Sequence, residues 1–147
     1  MTGDNVTPQA FRCFTSDEAL GLLAVATSML VQKGDALFHA GDVSDGVFFL
    51  EKGRLAVLQG TGFNDRTQVV ALLEPGSAVG EGGAVGKSLR TATVVAIEDA
   101  LLYYLNSQGL ESLGERNPLV FIKLVKRLLF VSNLRLQKCS ERLAHIL

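Results

Sequence analysis

Glycine runs out well before the end of this chain. Fourteen of its fifteen glycines precede residue 110, and Gly114 is the last. Beyond Pro118 neither glycine nor proline interrupts the sequence to Leu147. A chain so divided folds as a turn-rich body followed by one long helix. Asn117-Pro118 marks the helix start, because proline at the first helical position loses no hydrogen bond and presets φ. A helix of roughly thirty residues reaches about 45 Å, more than a small β domain can cover. Charge divides at the same place. Residues 1–115 hold 7 basic and 14 acidic groups, a net of −7, while residues 116–147 hold 7 and 1, a net of +6. The whole chain is at −1, which excludes a global cationic footprint for nucleic acid. With 48% apolar and 20% charged residues in 147, one domain with a real core is expected, not a disordered tail.

The body reads as short strands punctuated by glycine. Eight segments have strand texture: Ser28–Gln32, Ala36–His39, Val47–Lys52, Leu55–Gln59, Gln68–Leu73, Ala78–Gly80, Thr91–Ile97 and Ala100–Leu105. Their regular spacing predicts a mainly β fold with flanking helices, an eight-stranded β-barrel or jelly roll. Thr15 with Glu18 three residues on predicts a capping box and a short N-terminal helix. Residues 1–14 are read as a loose lead-in, 15–116 as the β body and 117–147 as the long helix. Ser107–Gly114 reads as a short helix between the last two.

Two stripes run along the long helix. Ile122, Val125, Leu129, Ser132, Leu136, Cys139, Leu143 and Ile146 alternate steps of three and four, a heptad seam suited to a homodimer. Phe121, Leu124, Leu128 and Val131 form a second apolar stripe, which continues as Arg135, Lys138 and Arg142. The first half of the helix therefore faces both the body and a partner, and the second half a partner alone. The alternative is a helix packed wholly on its own domain.

The densest chemistry lies between Gly80 and Val94. Gly86-Lys87-Ser88 ends like a P-loop, but that motif requires glycine where Glu81 stands, and a helix after the lysine where Thr91–Ile97 alternates like a strand. A better reading is a glycine-lined loop that holds an anion on backbone N–H groups, backed by the planar fork of Arg90. Glu81 cannot bind phosphate, but it accepts hydrogen bonds from hydroxyls. Together they suit a ligand with a hydroxyl beside a phosphate.

The segment resembles the phosphate-binding cassette of cyclic nucleotide-binding domains, as in catabolite-activator-type regulators, cyclic-nucleotide-dependent kinases and gated channels. Gly80-Glu81 and Arg90-Thr91-Ala92 stand where that family has Gly-Glu and Arg-Ser/Thr/Ala-Ala. Lys33-Gly34-Asp35, His39-Ala40-Gly41-Asp42, Phe48–Gly53, Leu73-Glu74-Pro75-Gly76 and Asn117-Pro118 follow in the family's order. The resemblance implies a short cassette helix and a ligand, cAMP or cGMP, with no other cofactor and no metal. It implies that Glu81 accepts from the ribose 2′-hydroxyl and that Arg90 pairs with the cyclic phosphate. Gly80, Gly82 and Gly83 would bring backbone to the ligand, and Thr91 would reach phosphate or base. Val57, Val70 and Val79 would line the base pocket, and Arg135 would meet the base from the long helix. The family usually has bulky apolar residues and alanine after the glutamate, and Gly82, Gly83 and Ala84 depart from that. A domain of the same fold that binds no nucleotide and serves assembly is the alternative this departure raises.

No catalytic constellation is expected. His39 and His145 belong to different elements, and Cys13 and Cys139 have no metal-ligand spacing. Both cysteines read as free thiols of a cytoplasmic protein. No run approaches the about 18 apolar residues of a membrane helix, and Met1–Ala10 has neither the charge nor the apolar core of a signal peptide. The basic residues of the long helix alternate with the seam, so they read as its solvated flank and not as a DNA contact. The expected role is a sensor that relays occupancy to an effector protein of unknown identity, either alone or as part of something larger.

Overall fold

The computed structural model describes residues 7–61 and 66–146. Helix α1 (Ser16–Val25) opens with the predicted capping box. Thr15 Oγ1 accepts from the Glu18 backbone N–H at 3.2 Å, and the Glu18 carboxylate accepts from the Thr15 N–H at 2.8 Å. Ten strands follow: β1 (Thr27–Val31), β2 (Ala36–Phe38), β3 (Val43–Ser44), β4 (Gly46–Lys52), β5 (Leu55–Gly60), β6 (Thr67–Leu73), β7 (Ala78–Val79), β8 (Ser88–Leu89), β9 (Thr93–Ala96) and β10 (Ala100–Asn106). Helices α2 (Ser107–Arg116) and α3 (Pro118–Ile146) complete the chain.

The strands are antiparallel and form two four-stranded sheets, β1-β10-β4-β7 and β2-β9-β5-β6, with a separate ribbon of β3 and β8. All eight predicted strands are present in the two sheets. The barrel expectation is corrected: the sheets stack without closing on one another among the described residues. The eight-strand count rises to ten with β3 and β8, two-residue strands that each hold one serine, so that no apolar run marks them.

Two cores share the first sheet. β4 is buried from Gly46 to Leu50 because each of its faces meets a different layer. Phe48 and Leu50 point between the sheets, with Leu102, Val79, Leu55, Leu73 and Val94. Val47 and Phe49 point the other way, with Leu105, Leu22, Leu110, Leu113, Leu124 and Leu128 of the helices. The lead-in is not loose in its described part. Gln9–Phe11 forms a turn of 3-10 helix, Phe11 is fully buried against Phe49 and Tyr103, and the Ala10 N–H donates to Glu51 at 2.9 Å. Residues 1–6 of that segment, and most of the polar loop expected at 60–66, lie outside the described residues.

Asn106 caps α2, its side chain accepting from the Gly109 N–H at 2.8 Å. α3 begins at Pro118 and runs 29 residues, about 43 Å. Its buried residues are Val120, Leu124 and Leu128, while Phe121 and Val131 of the expected stripe are only partly buried. Leu129, Leu136, Leu143 and Ile146 of the seam are 57–79% exposed, and among the described residues no element covers them.

Candidate functional site

The loop after β7 is shaped by two glycines. Gly80 has φ +72°, and a Cβ there would run into the guanidinium of Arg90. Gly83 is buried, and a Cβ there would collide with the Gly46 carbonyl and with Ser44 Oγ. Between them the expected cassette helix is a single 3-10 turn, Glu81–Val85, closed by the Gly83 N–H on the Gly80 carbonyl at 3.0 Å. Three glycines within five residues, Gly82, Gly83 and Gly86, leave too little helix propensity for a full α-turn to persist. Gly82 faces open space.

The β3–β8 ribbon then delivers Arg90. The Arg90 N–H donates to the Asp42 carbonyl and the Gly41 N–H to the Arg90 carbonyl, both at 2.8 Å, so the main chain is clamped on each side. The side chain turns inward and is 8% exposed. Nη1 donates to the Gly80 carbonyl at 3.2 Å and Nη2 to the Gly46 carbonyl at 3.3 Å. The guanidinium carbon lies 4.2 Å from the Phe38 ring centre and 5.5 Å from that of Phe48. Phe48 in turn stacks on Tyr104 at 4.4 Å. Arg90 thus lies on an aromatic bed and uses two of its five N–H donors on carbonyls.

Burial pulls the Arg90 pKa below its ordinary value, while Tyr104, Asp45, Asp42 and Glu81 act the other way. Tyr104 is pushed up to about 12, first by burial and then by donating to the Asp45 carboxylate at 2.6 Å, with Arg90 opposing. No carboxylate forms an ion pair with Arg90 among the described residues. Its two direct hydrogen bonds are to neutral carbonyls, which do not cancel its charge.

Glu81 pairs instead with Arg135 of α3. Arg135 Nη1 donates to Glu81 Oε2, and Nη2 donates to the Ala78 carbonyl at 2.7 Å. Gly80, Glu81, Gly82, Gly83, Arg90 and Arg135 therefore gather at one place, 54 residues of separation between Glu81 and Arg135 notwithstanding. Thr91 follows Arg90 and is exposed. The three valines scatter by environment. Val57 on β5 is partly buried against the inter-sheet core. Val70 on β6 is half-buried at a bulge, where Val57 pairs with Ala71 and Leu58 with Val69. Val79 is 1% exposed within the core. Phe38, Phe48, Tyr104, Asp45 and the Gly46 carbonyl complete the surroundings of Arg90 and were not singled out from sequence. For Asp45, Gly46 and Phe48 the signal was the run Asp45-Gly46-Val47-Phe48-Phe49, which a strand reading spends entirely on packing.

With that geometry in place the relationships are clear. Residues 29–117 match the cyclic nucleotide-binding domain family, and the chain belongs to it. It is 34% identical over 97 residues to the lysophospholipase nte1 of Aspergillus terreus, covering 65% of this chain and 6% of that protein. It is 30% identical over 91 residues to the cyclic AMP receptor protein of Thermus thermophilus, covering 62% of this chain and 42% of that one. The chain thus spans less than half of the length of either relative. Among solved structures, a cyclic nucleotide-binding domain from Methylobacillus flagellatus superposes with a TM-score of 0.84 at 19% identity, over 98% of this chain and 83% of that one. The catabolite activator protein of Thermus thermophilus gives 0.71 at 26% identity, over 90% and 63%. Among the described residues no helix is long and apolar enough to cross a membrane.

Proposed function

We propose that this domain binds a cyclic nucleotide, cAMP or cGMP, and relays its occupancy through α3. The observation that carries the reading is Arg90, a buried guanidinium on an aromatic bed with no carboxylate of its own. Leaving a buried cation without a counter-charge is costly, and a cyclic phosphate would supply one while using the free N–H groups. Glu81, at the start of the same turn, would accept from the ribose 2′-hydroxyl. Gly80, Gly82 and Gly83 would frame the phosphate, Thr91 would reach it or the base from the exposed side, and Val57 and Val70 would face the base. The exposed stripe Ile122, Val125, Leu129, Ser132, Leu136, Cys139, Leu143 and Ile146 would pair with a second copy in parallel and present the state of the site to an effector protein. The role is regulatory and not enzymatic, and the location cytoplasmic.

Calorimetric titration with cAMP and cGMP tests the reading. Binding by one of them at micromolar Kd, about −8 kcal/mol, is expected. Absence of heat and of any thermal shift at millimolar nucleotide would replace it with an assembly domain that has kept the fold alone.

A further inference from the structure

Three carboxylates lie close enough to Arg90 for their charge to act on its guanidinium, Asp45 most strongly, then Asp42 and Glu81. None of them pairs with it among the described residues. Each is held by a donor of its own. Asp42 accepts from the His39 N–H at 2.8 Å, Glu81 from Arg135, and Asp45 from the Tyr104 hydroxyl at 2.6 Å. The Asp42 side chain is also half-exposed, so water solvates it.

Asp45 differs from the other two. Its main chain is pinned, since its carbonyl accepts from both the N–H and the hydroxyl of Ser107, at 2.8 and 2.9 Å. It directly precedes Gly46, whose carbonyl takes Arg90 Nη2. Rotation of the Asp45 side chain therefore decides between Tyr104 and Arg90. The carboxylate is turned to Tyr104, and neither of its oxygens pairs with the guanidinium. Tyr104 is itself fixed. Its main chain is paired on both sides, with Thr27 and with Phe48, and its ring stacks on Phe48 at 4.4 Å. A half-buried carboxylate that lost the phenol would need another donor. Arg90, with N–H groups unspent, offers the strongest kind.

We infer that Tyr104 is a positioning residue of the anion site: its hydroxyl holds the Asp45 carboxylate off Arg90 and so leaves the guanidinium to a ligand phosphate. This role rests on the nucleotide reading above. Without the hydroxyl, Asp45 turns onto Arg90, occupies its free N–H groups and offsets its charge, and a phosphate must first displace it. If Asp45 then covers Arg90 about nine-tenths of the time, apparent affinity falls about tenfold.

The test titrates cAMP and cGMP calorimetrically into wild type, Tyr104→Phe, Asp45→Asn and the double variant, all as the full chain. Phenylalanine keeps the ring on Phe48 and removes only the hydroxyl. Tyr104→Phe is expected to bind about tenfold more weakly. Asp45→Asn should gain about tenfold more affinity in the Tyr104→Phe background than in wild type, since only there does the carboxylate lie on Arg90. A hydroxyl that served packing alone would show no such coupling. Tyr104→Phe binding as tightly as wild type or tighter, or an Asp45→Asn effect equal in both backgrounds, overturns the role of Tyr104 and leaves nucleotide binding standing. If wild type binds neither nucleotide, the nucleotide reading falls and the role of Tyr104 with it. Thermal melts followed by circular dichroism check folding. If Tyr104→Phe is unfolded, Tyr104→Met, which also lacks the hydroxyl, takes its place under the same criteria.

Discussion

Two adjacent glycines with opposite surroundings give a sharp test of the cassette. Neither Gly82 nor Gly83 has a left-handed φ, so alanine is tolerated by the backbone at both. At Gly82 a Cβ meets nothing within 4 Å. Alanine there only reduces the freedom of the unfolded chain, and is expected to stabilise by about 0.4–1 kcal/mol. At Gly83 a Cβ would overlap the Gly46 carbonyl and Ser44 Oγ. The carbonyl is fixed, because β4 is paired on both sides and Gly46 accepts from Arg90. Relief therefore requires the turn to move, at an overpacking cost of about 1–3 kcal/mol. For a domain of this size 1 kcal/mol moves Tm by about 2–4 °C. Gly83→Ala should then melt about 2–12 °C below wild type and Gly82→Ala up to about 4 °C above it. Thermal melts followed by circular dichroism in one buffer measure both. Coincident midpoints for the two variants would refute the close approach of the turn to β4.

Other consequences can be checked separately. Arg90→Ala should weaken nucleotide binding by more than about 2 kcal/mol in calorimetry, the loss of a charge-assisted partner to a desolvated phosphate. Leu129→Glu with Leu136→Glu should give monomers in sedimentation where wild type is a dimer at tens of micromolar; a monomeric wild type defeats the seam. Tyr104 has a folded pKa of about 12, above its ordinary 10.0, so its contribution is complete below pH 10 and lost as pH rises toward 12. Denaturant titrations should show that alkaline loss in wild type and not in Tyr104→Phe. The Glu18 carboxyl is held below its ordinary value, chiefly by hydrogen bonding from Lys123 and then by the Thr15 N–H. Its contribution is present above the ordinary carboxyl range and lost as pH falls through the lowered value, and Lys123→Ala should flatten that acid limb.

What the sequence disclosed followed the range of its signals. Thr15 and Glu18 interact across three residues, so their capping box was legible outright. The eight strands of the two sheets carried alternation or apolar runs between turn residues, and they fold as expected. β3 and β8 did not, because each is a two-residue strand holding one serine and no apolar run; they form beside the place where the Arg90 N–H donates to the Asp42 carbonyl and the Gly41 N–H to the Arg90 carbonyl. For Glu81–Val85 the resemblance implies a helix, whereas its glycines favour the 3-10 turn that forms. The resemblance alone puts Arg135 at the site, since its stripe on α3 says only which face it shares; its bond to Glu81 depends on how the helix crosses β7, which periodicity does not report. The bed of Phe38, Phe48 and Tyr104 beneath Arg90 was hidden for a related reason: aromatic residues at core spacing look alike whether a cation lies on them or not.

The double-sided burial of β4 also has a temporal side. Val47-Phe48-Phe49-Leu50 is apolar on both faces, and its principal partner is β10, which ends at Asn106, 54 residues after β4 ends at Lys52. At about 5–20 residues per second of synthesis the strand waits about 3–11 seconds before that partner has been made. β1 waits longer still, since Thr27 pairs with Tyr104. Such long-range pairing places folding among the slower topologies. The nascent chain therefore carries a four-residue adhesive strand with both faces open, and misassembly should begin there. Helix α3, made last, closes over Val47 and Phe49 only after β10 has set the sheet.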